Sequence, residues 1–211
     1  MNSLPPFDAM IKRCRALAAL DLILSPIWQY RHYSFDGHWS DHEVMASMRD
    51  GSGDAWWAVF HDDGWAALKG LGHESSAWSE HGETLSRALQ KAIPKEMASF
   101  ATEDSFEWEA TSFAFYLPKG AAQWTRANEA TKFAAETDTG EDDLLAHLIG
   151  TPADYAQFAT DLYELEVTPQ MAAHIFALKP ISATTVTRIN PETSLEEIEE
   201  ELYEQIGYPR E

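Results

Sequence analysis

Apolar residues recur every three or four positions at the start of the chain, at Phe7, Met10, Ile11, Cys14, Leu17, Leu20 and Leu24. The spacing puts them on one stripe of a helix, which must stop before Pro26 because the residue preceding a proline is pushed out of the helical region. Trp28 to Phe35 is dense in aromatic side chains and ends at Asp36-Gly37, which predicts a strand and a turn. Ser40-Asp41-His42-Glu43 has the spacing of a capping box and predicts a short helix carrying Val44, Met45 and Met48, ended by Gly51-Ser52-Gly53-Asp54. Trp56 to Phe60 and Trp65 to Leu68 flank His61-Asp62-Asp63-Gly64, and Asp-Gly readily takes the positive φ of a tight turn, so this is a β-hairpin with two largely apolar faces. One face should meet the core, the other helices or a partner. Leu85, Leu89 and Ile93 predict a helix closed by Pro94, and Ser112 to Leu117 a further strand.

After Glu141 the period becomes helical throughout. Thr151-Pro152, Thr168-Pro169 and Ser194 are helix starts. Tyr155, Phe158, Leu162 and Leu165 form one stripe, Met171, Ile175 and Leu178 a second, and Leu195, Ile198, Leu202 and Ile206 a third that Gly207 ends. The pattern predicts an α+β domain over residues 1–211: a small antiparallel sheet with an aromatic-rich hairpin covered by helices (residues 1–135), then an all-helical portion (residues 141–211). The polar, acidic stretch Glu136 to Asp143 joins the two.

Charge narrows the expected function. The net charge is −20 and the hydrophobic fraction 45%, so the surface repels nucleic acid and anionic membranes and favours a basic protein partner. No apolar run is long enough for a membrane helix, and Asp8 interrupts the start, so a cytoplasmic protein is expected. The single cysteine, Cys14, lies on the helix stripe and is expected to be buried packing.

Tyr33-Ser34-Phe35-Asp36 through Trp39, Met45 to Asp54, Lys69-Gly70-Leu71-Gly72-His73-Glu74-Ser75 and Ile206-Gly207-Tyr208-Pro209 together resemble an uncharacterised family of bacterial hypothetical proteins. The likeness implies a bacterial origin and no activity. In character, as an acidic, tryptophan-rich α+β protein, the chain is similar to the SMI1/KNR4-like immunity and adapter proteins.

Two constellations carry candidate chemistry. Lys69 lies in an apolar strand beside Gly70 and Gly72, where glycine lets a ligand or backbone approach, and with Arg49, Asp54, His73 and Glu74 it would form a polar pocket among tryptophans. Histidines and carboxylates between His32 and His81 could instead hold a divalent metal, with His61, Asp63 and His73 as ligands. The first leads to a non-catalytic protein that binds a protein partner, immunity-type or regulatory, with no cofactor. The second leads to a metal-dependent hydrolase, in which the ion would lower the pKa of water. Gly51-Ser52-Gly53-Asp54 leads into a strand rather than a helix, unlike a phosphate cradle, and Ser75 and Ser76 lack a nucleophile elbow. No catalytic residues are assigned.

Overall fold

Residues 3–127 and 138–210 are described by the computed structural model; the expected linker's first two residues, 136 and 137, lie outside them. The first helix, α1 (Phe7–Leu24), follows its stripe only in its first half. From Ala16 to Leu24 every residue is buried, including Asp21, so the second half is enclosed on all sides rather than amphipathic.

The predicted strand at Trp28 begins later. Trp28–Tyr30 is a single 3₁₀ turn with Trp28 and Tyr30 exposed, and β1 covers only Tyr33–Asp36. The cause is Arg31, whose buried guanidinium reaches back to the carbonyls of Ser25 and Pro26 while pairing with Glu201, folding residues 25–31 on themselves. The predicted helix at Val44 to Met48 is also corrected. Glu43–Arg49 is strand β2, hydrogen-bonded to β1 on one side and to β3 (Ala55–His61) on the other. Ser40 Oγ bonds the Glu43 carboxylate at 3.4 Å inside a hairpin turn instead of capping a helix, so pairing on both sides overrides the local signal.

The hairpin of β3 with β4 (Ala66–Leu71) forms where the Asp-Gly signal places it, with Gly64 at φ 90°. β5 (Phe113–Leu117) and β6 (Thr125–Arg126) complete a six-stranded antiparallel meander ordered β1 to β6. Pleating sends alternate residues to opposite faces. Tyr33, Phe35, Met48, Trp56, Phe60, Leu68, Phe113 and Phe115 share one cluster with α1 and with residues of the C-terminal helices. Val59, Ala67 and Ala114 meet Leu85 and Leu89 of α2 (Ser76–Ala92), together with Met97, Phe100, Phe106 and Trp108. Helix α2 ends before Pro94 as the sequence indicates. Gly70 lies under the Phe113 ring, where a Cβ would come within 2.2 Å of it, and Gly72 lies against the Gly140 backbone, so these glycines serve close packing.

After two short turns of helix, α3 (Ala98–Ala101) and α4 (Glu141–Leu144), come α5 (Ala146–Ile149), α6 (Pro152–Tyr163), α7 (Pro169–Phe176), α8 (Ala183–Ile189) and α9 (Leu195–Glu200). Thr151, Thr168 and Ser194 cap α6, α7 and α9 as expected, and Ser182, not foreseen, caps α8. Two stripes end early: Leu162 is exposed and Leu165 lies beyond α6, while Leu178 takes φ 49° after α7. Among the described residues no helix is long and apolar enough to cross a membrane.

Asp21 ties these layers together. Its carboxylate, fully buried, accepts from the backbone amides of His32 (2.8 Å) and Tyr33 (2.6 Å), from the Tyr163 hydroxyl (2.8 Å) and from the Tyr155 hydroxyl. Burial pushes its pKa up to about 6 although all four donors favour the charged form. The folded state therefore holds this proton more tightly than the unfolded chain, whose aspartate titrates near 3.9. Stability from Asp21 is greatest below about pH 4 and falls as pH rises through about 6. Asp21→Ala is expected to cost about 3–5 kcal/mol in urea unfolding by stranding four buried donors. Asp21→Asn should cost less and remove that part of the pH slope.

Candidate functional site

The helical cover on the second sheet face stops short of β1 and β2. Met45 and Arg49 stay half-buried there, and the uncovered strip becomes a groove of about 580 Å³ floored by Met45, Ser47, Ala55 and Trp57. Trp28, Trp39, Phe106 and Glu107 wall it, and the Gly51–Asp54 turn closes one end. Trp39 stacks on Phe106 at 5.5 Å between centroids. Beyond that pair lies a second hollow of about 690 Å³ that includes Glu43, His61, Ser99 and Glu103.

The wall is held by Lys69. Its side chain is 0% exposed, and Nζ donates to the carbonyls of Phe106 (2.6 Å), Glu107 (3.1 Å) and Ala110 (2.8 Å) while lying 4.5 Å from the centre of the Trp57 ring. Glu107 sits at φ 49°, a left-handed conformation that costs energy for a residue with a side chain, in the loop the ammonium grips. Desolvation lowers the Lys69 pKa to about 7, against smaller raising effects from Glu107 and Glu109. All of its donors are used, so Lys69 is a fastener behind the groove and not a group inside it.

The other residues of the expected polar pocket divide. Arg49 and Asp54 line the groove. His73 binds Asp54 through both its amide (2.8 Å) and its ring Nδ1 (2.7 Å), which raises the histidine pKa. Glu74 lies 3.8 Å from His73 Nε2 with its side chain 89% exposed, and the next residue, Ser75, caps α2. The expected metal trio does not assemble. His61 and Asp63 sit at the β3–β4 turn, whereas His73 follows the opposite end of β4, a full strand of about 20 Å away. Among the described residues, the ligand atoms within 4.8 Å of one another belong to His61, Asp62 and Asp63, and both carboxylates are exposed. His61 Nδ1 already accepts from the Asp63 amide at 3.0 Å, and His42 binds Asp62 at 2.8 Å. Cys14 is buried with its thiol pushed up to about 12, the inert packing role expected of it.

Sequence reasoning missed Trp28, Trp39, Ser47, Phe106 and Glu107. Trp28 carries the one readable signal, an aromatic directly after a proline-bounded helix. The others converge only through the sheet register and the Lys69 fastening.

The fastening has a testable pH signature. Because the unfolded chain retains the Lys69 proton to about pH 10.5, the global penalty for burying this charge declines as pH rises from about 7. The neutral amine also loses a donor, so the local grip on residues 106–110 weakens over the same range. Amide hydrogen exchange, corrected for base catalysis, should show those residues opening faster above about pH 7 in the native chain. In Lys69→Met they should exchange fast at every pH.

Comparison with protein-family models, with curated proteins and with solved structures returns no match for the chain.

Proposed function

We propose that this is a non-catalytic binding protein, regulatory or immunity-type, whose aromatic groove receives a segment of a basic partner protein. The observation that supports this reading is an open groove lined by three tryptophans, Trp28, Trp39 and Trp57, with Trp28 54% exposed. Tryptophan is the residue type most enriched at binding hot spots, because it contributes a large apolar face with a polar edge at small entropic cost. Glu107 and Asp54 line this groove and Glu43 and Glu103 the adjoining hollow, in a chain of net charge −20. That field steers a basic partner to the site and repels polyanions. The hydrolase alternative would have to work from an exposed turn without His73, and is the weaker reading.

A photo-crosslinking side chain at Met45, in the groove, compared with one at exposed Thr187 on α8, tests the proposal. In lysate of the source cell, the Met45 position should capture one basic protein repeatedly and the Thr187 position should not. With that protein purified, Trp28→Ala should weaken binding at least about tenfold, roughly 1.4 kcal/mol, and added salt should slow association. Identical labelling from both positions, or affinity indifferent to Trp28, would remove the groove from the function.

A further inference from the structure

The groove has more hydrogen-bond donors than its own acceptors satisfy. Arg49, the last residue of β2, holds its guanidinium 3.9 Å from the centre of the Trp28 ring, and among the described residues it makes no ion pair and its side chain donates no hydrogen bond. The carboxylates nearest in the chain are engaged elsewhere. Asp50 accepts from the amides of Ser52, Gly53 and Asp54, and Asp54 accepts from the amide and ring of His73. The indole N–H groups of Trp56, Trp108 and Trp124 donate to the carbonyls of Leu144, Phe100 and Pro5. Those of Trp28, Trp39 and Trp57, which line the groove, have no acceptor among the described residues, as is also true of Trp65 and Trp78 away from it, and the Ser47 hydroxyl on the groove floor finds no partner there either. No buried side-chain nitrogen or oxygen among the described residues is left unpaired, so these free donors are open to the groove.

A half-desolvated guanidinium with its planar face on an aromatic ring keeps its edge donors in a fixed fork, a geometry that matches a planar carboxylate through two parallel hydrogen bonds. Partial burial lowers the Arg49 pKa, yet arginine stays charged; the Trp28 ring offsets part of the cost of desolvating it, and with its edge donors free an anion offsets the rest most strongly. The surrounding negative field penalises each additional charge on that anion, which favours a monoanionic carboxylate over a phosphate dianion.

We propose that the Arg49 end of the groove is a carboxylate-binding subsite, recognising a carboxylate attached to an apolar or aromatic body, with Arg49 as the anchoring cation and the free indole and Ser47 donors around it. The inference rests on the groove being the partner-binding site, and it names the part of the partner's segment that this end receives. Within the groove, whose other charged lining groups are the carboxylates of Asp54 and Glu107, the Arg49 guanidinium fixes the register, because a basic side chain placed against it is repelled.

The test uses the full chain and four phenyl probes, the isosteric pair benzoate and benzamide with benzylammonium and phenyl phosphate, titrated by tryptophan fluorescence and calorimetry. Benzoate should bind tightest, about tenfold better than benzamide. Arg49→Met should erase that preference and Arg49→Lys should keep only part of it, since a point charge lacks the fork. Unchanged thermal unfolding would confirm that both variants remain folded. Benzoate binding no better than benzamide, or a preference that survives Arg49→Met, overturns the subsite. Phenyl phosphate binding tightest overturns the carboxylate assignment. Benzylammonium binding tightest overturns the anion subsite while leaving the groove as a partner site. Selective benzoate binding without position-specific crosslinking at Met45 would instead reject the partner reading and keep the subsite.

Discussion

A lysine buried behind the middle of a β-sheet holds the groove in shape. Lys69 Nζ has no carboxylate within ion-pairing distance among the described residues and is satisfied instead by three backbone carbonyls of one loop, with the Trp57 ring beside it. An ammonium in such surroundings is costly, and carbonyl hydrogen bonds together with a cation–π contact are what make it tolerable. The geometry forces the loop to bring the carbonyls of Phe106, Glu107 and Ala110 to one point, which places the Phe106 ring against Trp39 and leaves Glu107 at the groove edge. Phe100 and Trp108, packed edge to face with each other around the same loop, close the hydrophobic cover beside it. The wall of the groove is therefore set by one buried charge.

The two sides of the sheet treat polar groups differently. On the first, Asp21 is given four donors and Asn190 Nδ2 donates to the carbonyls of Ile23 and Leu24, so the end of α1 is locked to β1 and to α6 with its polar groups paired. On the second, past the edge of the helical cover, Arg49, Ser47 and the three indole N–H groups of the groove have no hydrogen-bond acceptor among the described residues. The grouping of a guanidinium, a hydroxyl and three indole donors along one aromatic groove gives it a polarity that folding alone does not require.

Legibility in the sequence followed the range of the interaction. The β3–β4 hairpin was readable because alternation and an Asp-Gly turn lie within a few residues, and α6, α7 and α9 because their caps are local. β2 was misread because Ser40 and Glu43 imitate a capping box, while the pairing that makes the segment a strand comes from β1 and β3. Trp28 was assigned to a strand because the pull of Arg31 on Ser25 and Pro26 is invisible in hydrophobic pattern. Lys69 stood out as an anomaly in an apolar strand, but its acceptors lie 37 to 41 residues away. Of the expected pocket, Arg49 and Asp54 do reach the groove with His73 behind them, because the β2–β3 turn and the end of β4 adjoin in the meander. The aromatic walls come from three separate segments and had no short-range signature.

If the proposed partner binds in this groove and not elsewhere on the surface, the indole groups of the groove report it. The most direct measurement is the indole N–H region of a ¹⁵N-correlated spectrum, which gives one signal for each of the eight tryptophans, recorded with and without the crosslinked partner. Trp28, Trp39 and Trp57 should shift and exchange more slowly on binding, while Trp56, Trp108 and Trp124, already bonded to carbonyls, stay in place. Unperturbed groove signals in a saturated complex would contradict it.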